Sequence, residues 1–407
     1  MAGAQFTPQC YWAKFVNGPP ASNTYFPIGV WLQDPLRTRN GQNNALNYKA
    51  AGINTFVALW DFPARSDSQA RVQAIRNAGL QVWAGGEDGD KSGANTAKGY
   101  GVTGYMLGDE WDMNKAGDCG TACSSTAVAG YGSAIRTQDP TRPIYGNFGK
   151  PVSLYPWPGY HCDNGSITCS AMQTELQRYC SALDIASSDY YAATDHWEDS
   201  GSPRDYGLAV DHTRAMCGNG TKPVLGFVET GHPDPLGINR PGISSNCTLT
   251  SWDGSTLNTP GCITPDGVEW AVWSQLAHGA NGIIYFSHDF ADCCGLMAED
   301  GMLTHPAVLA RITAINAQIK TLAPILNAAR LTSGLSLGAG VDATYRAGGY
   351  IVAAESTGTG GSRSFTVAGA AGHTITVVGE GRSLVANSSG TFTDTFTGWG
   401  HHVYQVN

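Results

Sequence analysis

The sequence predicts a (β/α)8 barrel followed by a small antiparallel β-domain, and three observations carry that expectation. Eight apolar, β-branched or aromatic runs follow one another between residues 26 and 290. Segments of helical pattern separate most of them. Almost every run ends at its C-terminal edge in a polar or acidic residue. Strands covered on both faces read as near-continuous apolar runs, and in a barrel the reactive groups collect where strands hand over to loops on the C-terminal rim.

In chain order the runs are Phe26–Leu32, Ile53–Trp60, Leu80–Ala84, Val102–Leu107, Arg142–Tyr145, Leu183–Ala186, Pro223–Val228 and Gly282–Phe286. After them stand Asp34, Asp61, Glu87 with Asp88, Asp109 with Glu110, Asn147, Asp189 with Tyr190, Glu229, and His288 with Asp289. Helical segments are expected at Asn43–Ala51, Ser68–Asn77, Thr126–Thr137, Ala171–Ala182, Tyr206–Met216 and Val268–His278. The Gly-rich stretch from Asp88 to Thr103 leaves room for only a short one. The strongest helix is Pro306–Asn327, where Val308, Ile312, Ile315, Ile319, Leu322 and Leu326 form one apolar stripe and Pro324 bends or ends the last turn. Strict alternation of strand and helix requires right-handed parallel crossovers. The barrel is placed at residues 1–328. Short alternating strands with Gly-rich turns make residues 329–407 a β-sandwich-like accessory domain.

Composition narrows the setting. A chain of 407 residues suits a barrel of roughly 250 residues with insertions and an appendage. Charged residues are 14% of the chain, there are 52 glycines, and the net charge of −9 comes with no basic stripe, which argues against a nucleic-acid partner. No run approaches the ~18 apolar residues of a membrane span. Eleven cysteines, several in close pairs (Cys119/Cys123, Cys162/Cys169, Cys247/Cys262, Cys293/Cys294) with Cys10, Cys180 and Cys217 more isolated, show no zinc-ligand spacing. Disulfides that staple rim loops in an oxidising compartment, and hence a secreted protein, are the expectation. The start, Met1-Ala2-Gly3, carries no charged-then-apolar leader, so an exported protein would have had its signal peptide replaced there. Sequons at Asn164, Asn219, Asn246 and Asn387 become glycan sites only in a eukaryotic source. Oligomeric state is left open.

The chemistry is expected from two glutamates. The fourth run leads into Gly104-Tyr-Met-Leu-Gly-Asp-Glu-Trp111 and the seventh into Val224-Leu-Gly-Phe-Val-Glu-Thr230, so Glu110 and Glu229 face each other across the mouth of an eight-stranded barrel. Cleaving a glycosidic bond with retention needs one protonated carboxyl and one ionised carboxylate roughly 5–5.5 Å apart, with environments that separate their pKa values. The bland alternative for either residue is a salt bridge or a helix N-cap.

This placement resembles clan A of the retaining glycoside hydrolases, in which the acid/base glutamate ends strand four and the nucleophile ends strand seven. No family within the clan is identified. The resemblance implies that Glu110 is the acid/base, that Glu229 is the nucleophile, and that a strand-six tyrosine, Tyr190 or Tyr191, bonds the nucleophile. It also implies a carbohydrate substrate and no cofactor or metal. The clan usually has Asn before the acid/base; here Asp109 stands there, which adds a charge that would raise the pKa of Glu110. Trp31, Trp60, Glu87, Trp111, Asn147, Trp197 and His288 are further candidates for sugar contact, the tryptophans because aromatic faces stack on sugar rings. Trp83, Trp157 and Trp252 extend the same aromatic pattern, part of which is expected to fill the barrel top.

Competing signals are weaker. Gly334-Leu-Ser-Leu-Gly338 matches a nucleophile elbow, yet Ser336 lies in the β-domain. Ser287, His288 and Asp289 are neighbours on a strand and cannot form a triad among themselves. Asp88 to Gly93 copies the front of a calcium loop, but Gly99 occupies the position of the bidentate Glu, so a turn is expected. The reading is therefore a secreted retaining glycoside hydrolase; a catalytically silent carbohydrate-binding barrel is the rival, and a serine hydrolase a more distant one.

Overall fold

The computed structural model describes residues 6–113, 124–155, 169–193, 201–218, 220–231, 243–244, 247–250, 256–259, 262–291 and 296–407. Eight parallel strands form the centre: β1 (Ile28–Trp31), β2 (Thr55–Val57), β3 (Gln81–Trp83), β4 (Tyr105–Asp109), β5 (Ile144–Phe148), β6 (Ile185–Ser188), β7 (Val224–Glu229) and β8 (Ile283–Phe286). Each pairs with its sequence neighbour, β1 also pairs with β8, and a parallel bridge between Trp83 and Gly104 joins β3 to β4 and closes the barrel.

A helix follows each strand: α1 (Asn44–Ala50), α2 (Ser68–Asn77), α3 (Lys91–Tyr100), α4 (Ser125–Gln138), α5 (Cys169–Ser181), α6 (Pro203–Met216), α7 (Pro265–Ala277) and α8 (Pro306–Leu326). Local chemistry starts them. Asn43 accepts from the Leu46 N–H at the start of α1, Ser202 and Asp205 form a capping box before α6, and Thr264 caps α7 ahead of Pro265. α3 is longer than its glycines suggest, because Asp90 caps it and Ala94 and Ala97 bury against the barrel. The stretch that copied a calcium loop is thus a turn and a helix cap.

Residues of alternating parity divide into two cores. Trp31, Val57, Trp83, Met106, Tyr145, Ile185, Leu225, Phe227, Ile284 and Phe286 fill the barrel, while Val30, Phe56, Val82, Leu107 and Val228 pack outward beneath the helices. After α8 come nine short strands: β9 (Arg330–Leu331), β10 (Leu335–Leu337), β11 (Val341–Arg346), β12 (Tyr350–Glu355), β13 (Gly361–Val367), β14 (Thr374–Val377), β15 (Arg382–Val385), β16 (Thr391–Phe396) and β17 (His401–Val406). They make a six-stranded sheet in the order β9-β11-β12-β17-β14-β15 and a three-stranded sheet in the order β10-β13-β16, around Phe365, Phe392, Phe396 and Tyr404. α7 is buried nearly all round because the barrel covers one side and β11 and β12 the other; the Trp273 ring lies 3.8 Å from that of His401.

One disulfide joins two of the more isolated cysteines. Cys180 and Cys217 form a disulfide between the C-terminal ends of α5 and α6, on the barrel floor and not at the rim. Spacing could not reveal it, since the two lie 37 residues apart and meet only when adjacent helices align. Cys262 is also disulfide-bonded and Cys10 is a free, exposed thiol. Cys119, Cys123, Cys162, Cys293 and Cys294 lie outside the described residues.

Candidate active site

A bulge in β4 sets the site. Tyr105 and Met106 pair with Ile144 and Tyr145, after which the register shifts and Gly108 and Asp109 pair with Gly146 and Asn147. The extra residue inverts the alternation. Met106 points into the barrel, Gly108 lies on the outer side against Trp111, and Asp109 points in beside Asn147. Glu110 follows at φ +47°, a left-handed conformation in which its N–H donates to the Asn147 carbonyl at 2.9 Å. Its Oε1 lies 3.4 Å from where a side chain on Gly149 would begin, so glycine at 149 leaves it room.

A relay of donors ends on Asp109. Ser187 Oγ donates to Asn147 Oδ1 at 2.5 Å, which leaves Tyr145 as donor to Ser187 at 2.6 Å, and Asn147 Nδ2 donates to Asp109 Oδ1 at 3.0 Å. Asn147 is buried and so positions Asp109 instead of offering itself to a substrate. Loss of solvation, then the Glu110 charge, push Asp109 up to about 8, even though its carboxylate reaches solvent from the floor of the mouth.

Asp189 stands directly after β6, at the strand end. It is buried, hydrogen-bonds the Glu110 carboxyl, and accepts from the Tyr191 hydroxyl at 3.2 Å. Burial, then the charges of Glu110 and Asp109, hold Asp189 well above the usual carboxylate range. Asp112, buried below, accepts from the Gly149 and Val152 N–H groups at 2.8 and 3.2 Å and is pushed up to about 7, chiefly by burial. Burial and mutual repulsion therefore favour the protonated form across the cluster.

Glu229 ends β7 with the inward parity of Leu225 and Phe227, and its side chain is 0% exposed. Its Oε1 accepts from the Ala193 N–H at 3.2 Å, an N–H that also reaches the Tyr206 hydroxyl of α6 at 3.0 Å, so that hydroxyl stands beside the carboxylate. Sequence reasoning missed Tyr206 and Ala193, and no local signal marks them. Of the two strand-six tyrosines, Tyr191 faces inward, its ring 5.0 Å from that of Phe286; Tyr190 is buried in the outer core. Tyr191 bonds Asp189, the neighbour of Glu110, and Tyr206 stands beside Glu229.

The aromatic candidates separate. Trp60 is 41% exposed at the rim, its carbonyl held by Arg71 at 2.9 Å and its ring 5.9 Å from that of His288. Trp31 and Trp83 fill the barrel, and Trp111 is buried outside it beside Tyr179, so these three present no ring face to a sugar. Burial pushes His288 down to about 4, leaving it neutral. Glu87 reaches solvent beside Asp61 and Asp88, and crowding by protein, then by those charges and Asp90, pushes it up to about 7. Trp197, Trp157 and Trp252 lie outside the described residues. Among the described residues no cluster of His, Cys, Asp and Glu is arranged to hold a metal.

The architecture is similar to that of solved carbohydrate-active enzymes. A structure described as a glycoside hydrolase aligns over 99% of this chain and 99% of its own, with a TM-score of 0.56 at 12% identity. An α-amylase from Geobacillus thermoleovorans, solved with acarbose, aligns over 95% and 98% with a TM-score of 0.54 at 10% identity. An α-amylase from Malbranchea cinnamomea gives 0.50 over 94% and 96% at 11%. Likeness at these identities establishes the barrel and its C-terminal β-domain; function has to be argued from the site. No protein-family model and no curated protein matches the sequence.

Proposed function

We propose that this chain is a retaining glycoside hydrolase acting on a poly- or oligosaccharide, with Glu110 as acid/base and Glu229 as nucleophile. The observation that carries the proposal is the contrast between the two glutamates. Glu110 shares a hydrogen bond with a proton-holding Asp189 and lies beside a second, Asp109. Glu229 instead receives the Ala193 N–H, with the Tyr206 hydroxyl beside it, and such a donor favours a charged carboxylate. In the first step the Glu229 carboxylate bonds to the anomeric carbon as the glycosidic C–O bond breaks, and the proton shared by Glu110 and Asp189 passes from Glu110 to the departing oxygen. In the second, Glu110 takes a proton from water, the water oxygen bonds to the anomeric carbon, and Glu229 is released.

Trp60 supplies an exposed aromatic face and Tyr191 and His288 polar contacts at the mouth. The similarity to glycoside hydrolases along nearly the whole chain supports a sugar substrate, and the disulfides support secretion. Among the described residues no helix is long and apolar enough to cross a membrane. One observation favours the rival reading of a silent carbohydrate-binding barrel: Glu229 has no exposed surface. Ser336 lies on β10, in an antiparallel sheet and not at a strand-to-helix turn, so a serine hydrolase has no support. The test is a panel of plant, fungal and bacterial polysaccharides with product analysis. New reducing ends support the enzyme; binding without turnover on every substrate supports the silent barrel.

A further inference from the structure

On the barrel floor, opposite the carboxylates, a cavity of 140 Å³ lies between the strand starts and the β-domain, lined by Arg214, Gly279, Asn281, Arg330, Thr332 and Arg346 among others. Three guanidinium groups line it, and among the described residues only that of Arg214 has a carboxylate partner. Arg214 pairs with Asp211 at 2.5 Å and donates to the His278 carbonyl at 2.6 Å. Arg346, 1% exposed on β11, donates through Nη1 to the carbonyls of Leu326 and Ala328 at 2.5 and 3.2 Å, where it caps the C-terminus of α8. Its Nε and Nη2 meet no acceptor. No carboxylate pairs with Arg330 or Arg346 among the described residues.

We propose that this cavity binds a compact tetrahedral oxyanion of the phosphate or sulfate type, held by Arg330 and Arg346 with Arg214 adding charge. Buried charges are ordinarily paired, and a planar guanidinium fork with two free donors matches two oxygens of such an anion. Burial, then the charges of Arg214 and Arg330, push Arg346 down to about 9, a departure that a bound anion would reverse. Water filling the same space satisfies donors but leaves the charge uncompensated.

The experiment follows the melting temperature of the whole protein against inorganic phosphate, with sulfate and acetate as parallel arms and sodium chloride holding ionic strength constant. A ligand of the native state raises Tm with a saturable dependence on its concentration. Phosphate and sulfate should do so and acetate should not. Arg330→Met removes an exposed side chain, so it should leave Tm in chloride unchanged and move the half-saturating phosphate concentration at least tenfold higher. Arg346→Met should abolish the response; should it fail to fold, Arg330→Met decides alone. A rise that does not saturate, an equal response to acetate, or an Arg330→Met curve that overlays the native one overturns the proposal.

Discussion

Two carboxyl groups in contact, Asp189 and Glu110, cannot both be charged without cost, and that constraint makes the mouth of the barrel a store of protons. Loss of solvation and the neighbouring charges act in one direction on Asp189 and Asp109, so both hold a proton to a higher pH than an isolated carboxyl would. Asp189→Asn removes a charge from the pair and lowers the pH at which the shared proton is lost. The alkaline limb of the kcat/KM profile should therefore move to lower pH, with the acid limb little changed; an unmoved alkaline limb would show that Asp189 plays no part in holding the proton. On the proposed function, Trp60 meets the sugar through its ring face. Trp60→Ala should raise KM about fivefold, roughly 1 kcal/mol of lost stacking, with kcat nearly intact. A fall in kcat with KM unchanged would place Trp60 against the transition state instead.

At the scale of elements, the strands were legible because burial on both faces leaves unbroken apolar runs, and their polar ends were legible for the same reason. The bulge in β4 was not. Gly108 is its sole trace in the sequence, and a glycine inside a strand can equally mean close packing; here it means both, since a Cβ at 108 would overlap the Trp111 ring. Gly108→Ala should destabilise the fold by about 1–3 kcal/mol and lower activity further than stability alone requires, because Asp109 and Glu110 hang from the same turn. Denaturant midpoints measured beside kcat at a temperature where the variant is fully folded would separate the two effects; a variant with native midpoint and native kcat would show that the turn tolerates the change. Tyr206 and the contact of Asp189 with Glu110 escaped the sequence reading for a related reason. Their roles arise from which neighbour each meets across the barrel mouth, and sequence spacing carries no record of that. The same holds for Cys180 and Cys217, joined at the ends of adjacent helices.

Over the whole molecule, the β-domain is tied to the barrel by a polar seam as well as by Trp273. His278 at the end of α7 bonds Asp211 of α6 at 2.6 Å and approaches Asp342 of β11 at 3.2 Å, while Arg204 reaches Asp342 at 2.7 Å. Burial alone would depress the pKa of His278, but the two carboxylates prevail and raise it; burial works against Asp342 too, and His278 and Arg204 bring it down to about 2. The His278 contribution is thus complete below its unfolded pKa of about 6.5 and is lost as pH rises through the folded value. That of Asp342 is complete above about 3.9 and is lost as pH falls toward 2. Calorimetry across pH should find the seam strongest between about pH 4 and 6.5, and Asp342→Asn should flatten both limbs; a variant curve parallel to the native one would remove the seam from the account. The central claim concerns the opposite end of the barrel, and the replacement of Glu229 by Ala tests it most directly, assayed with azide on an activated aryl glycoside that the native enzyme cleaves. The account predicts no turnover without azide and, with it, release of the glycosyl azide of inverted configuration, formed by attack through the space that the carboxylate vacated. Turnover that survives the substitution without azide would contradict it.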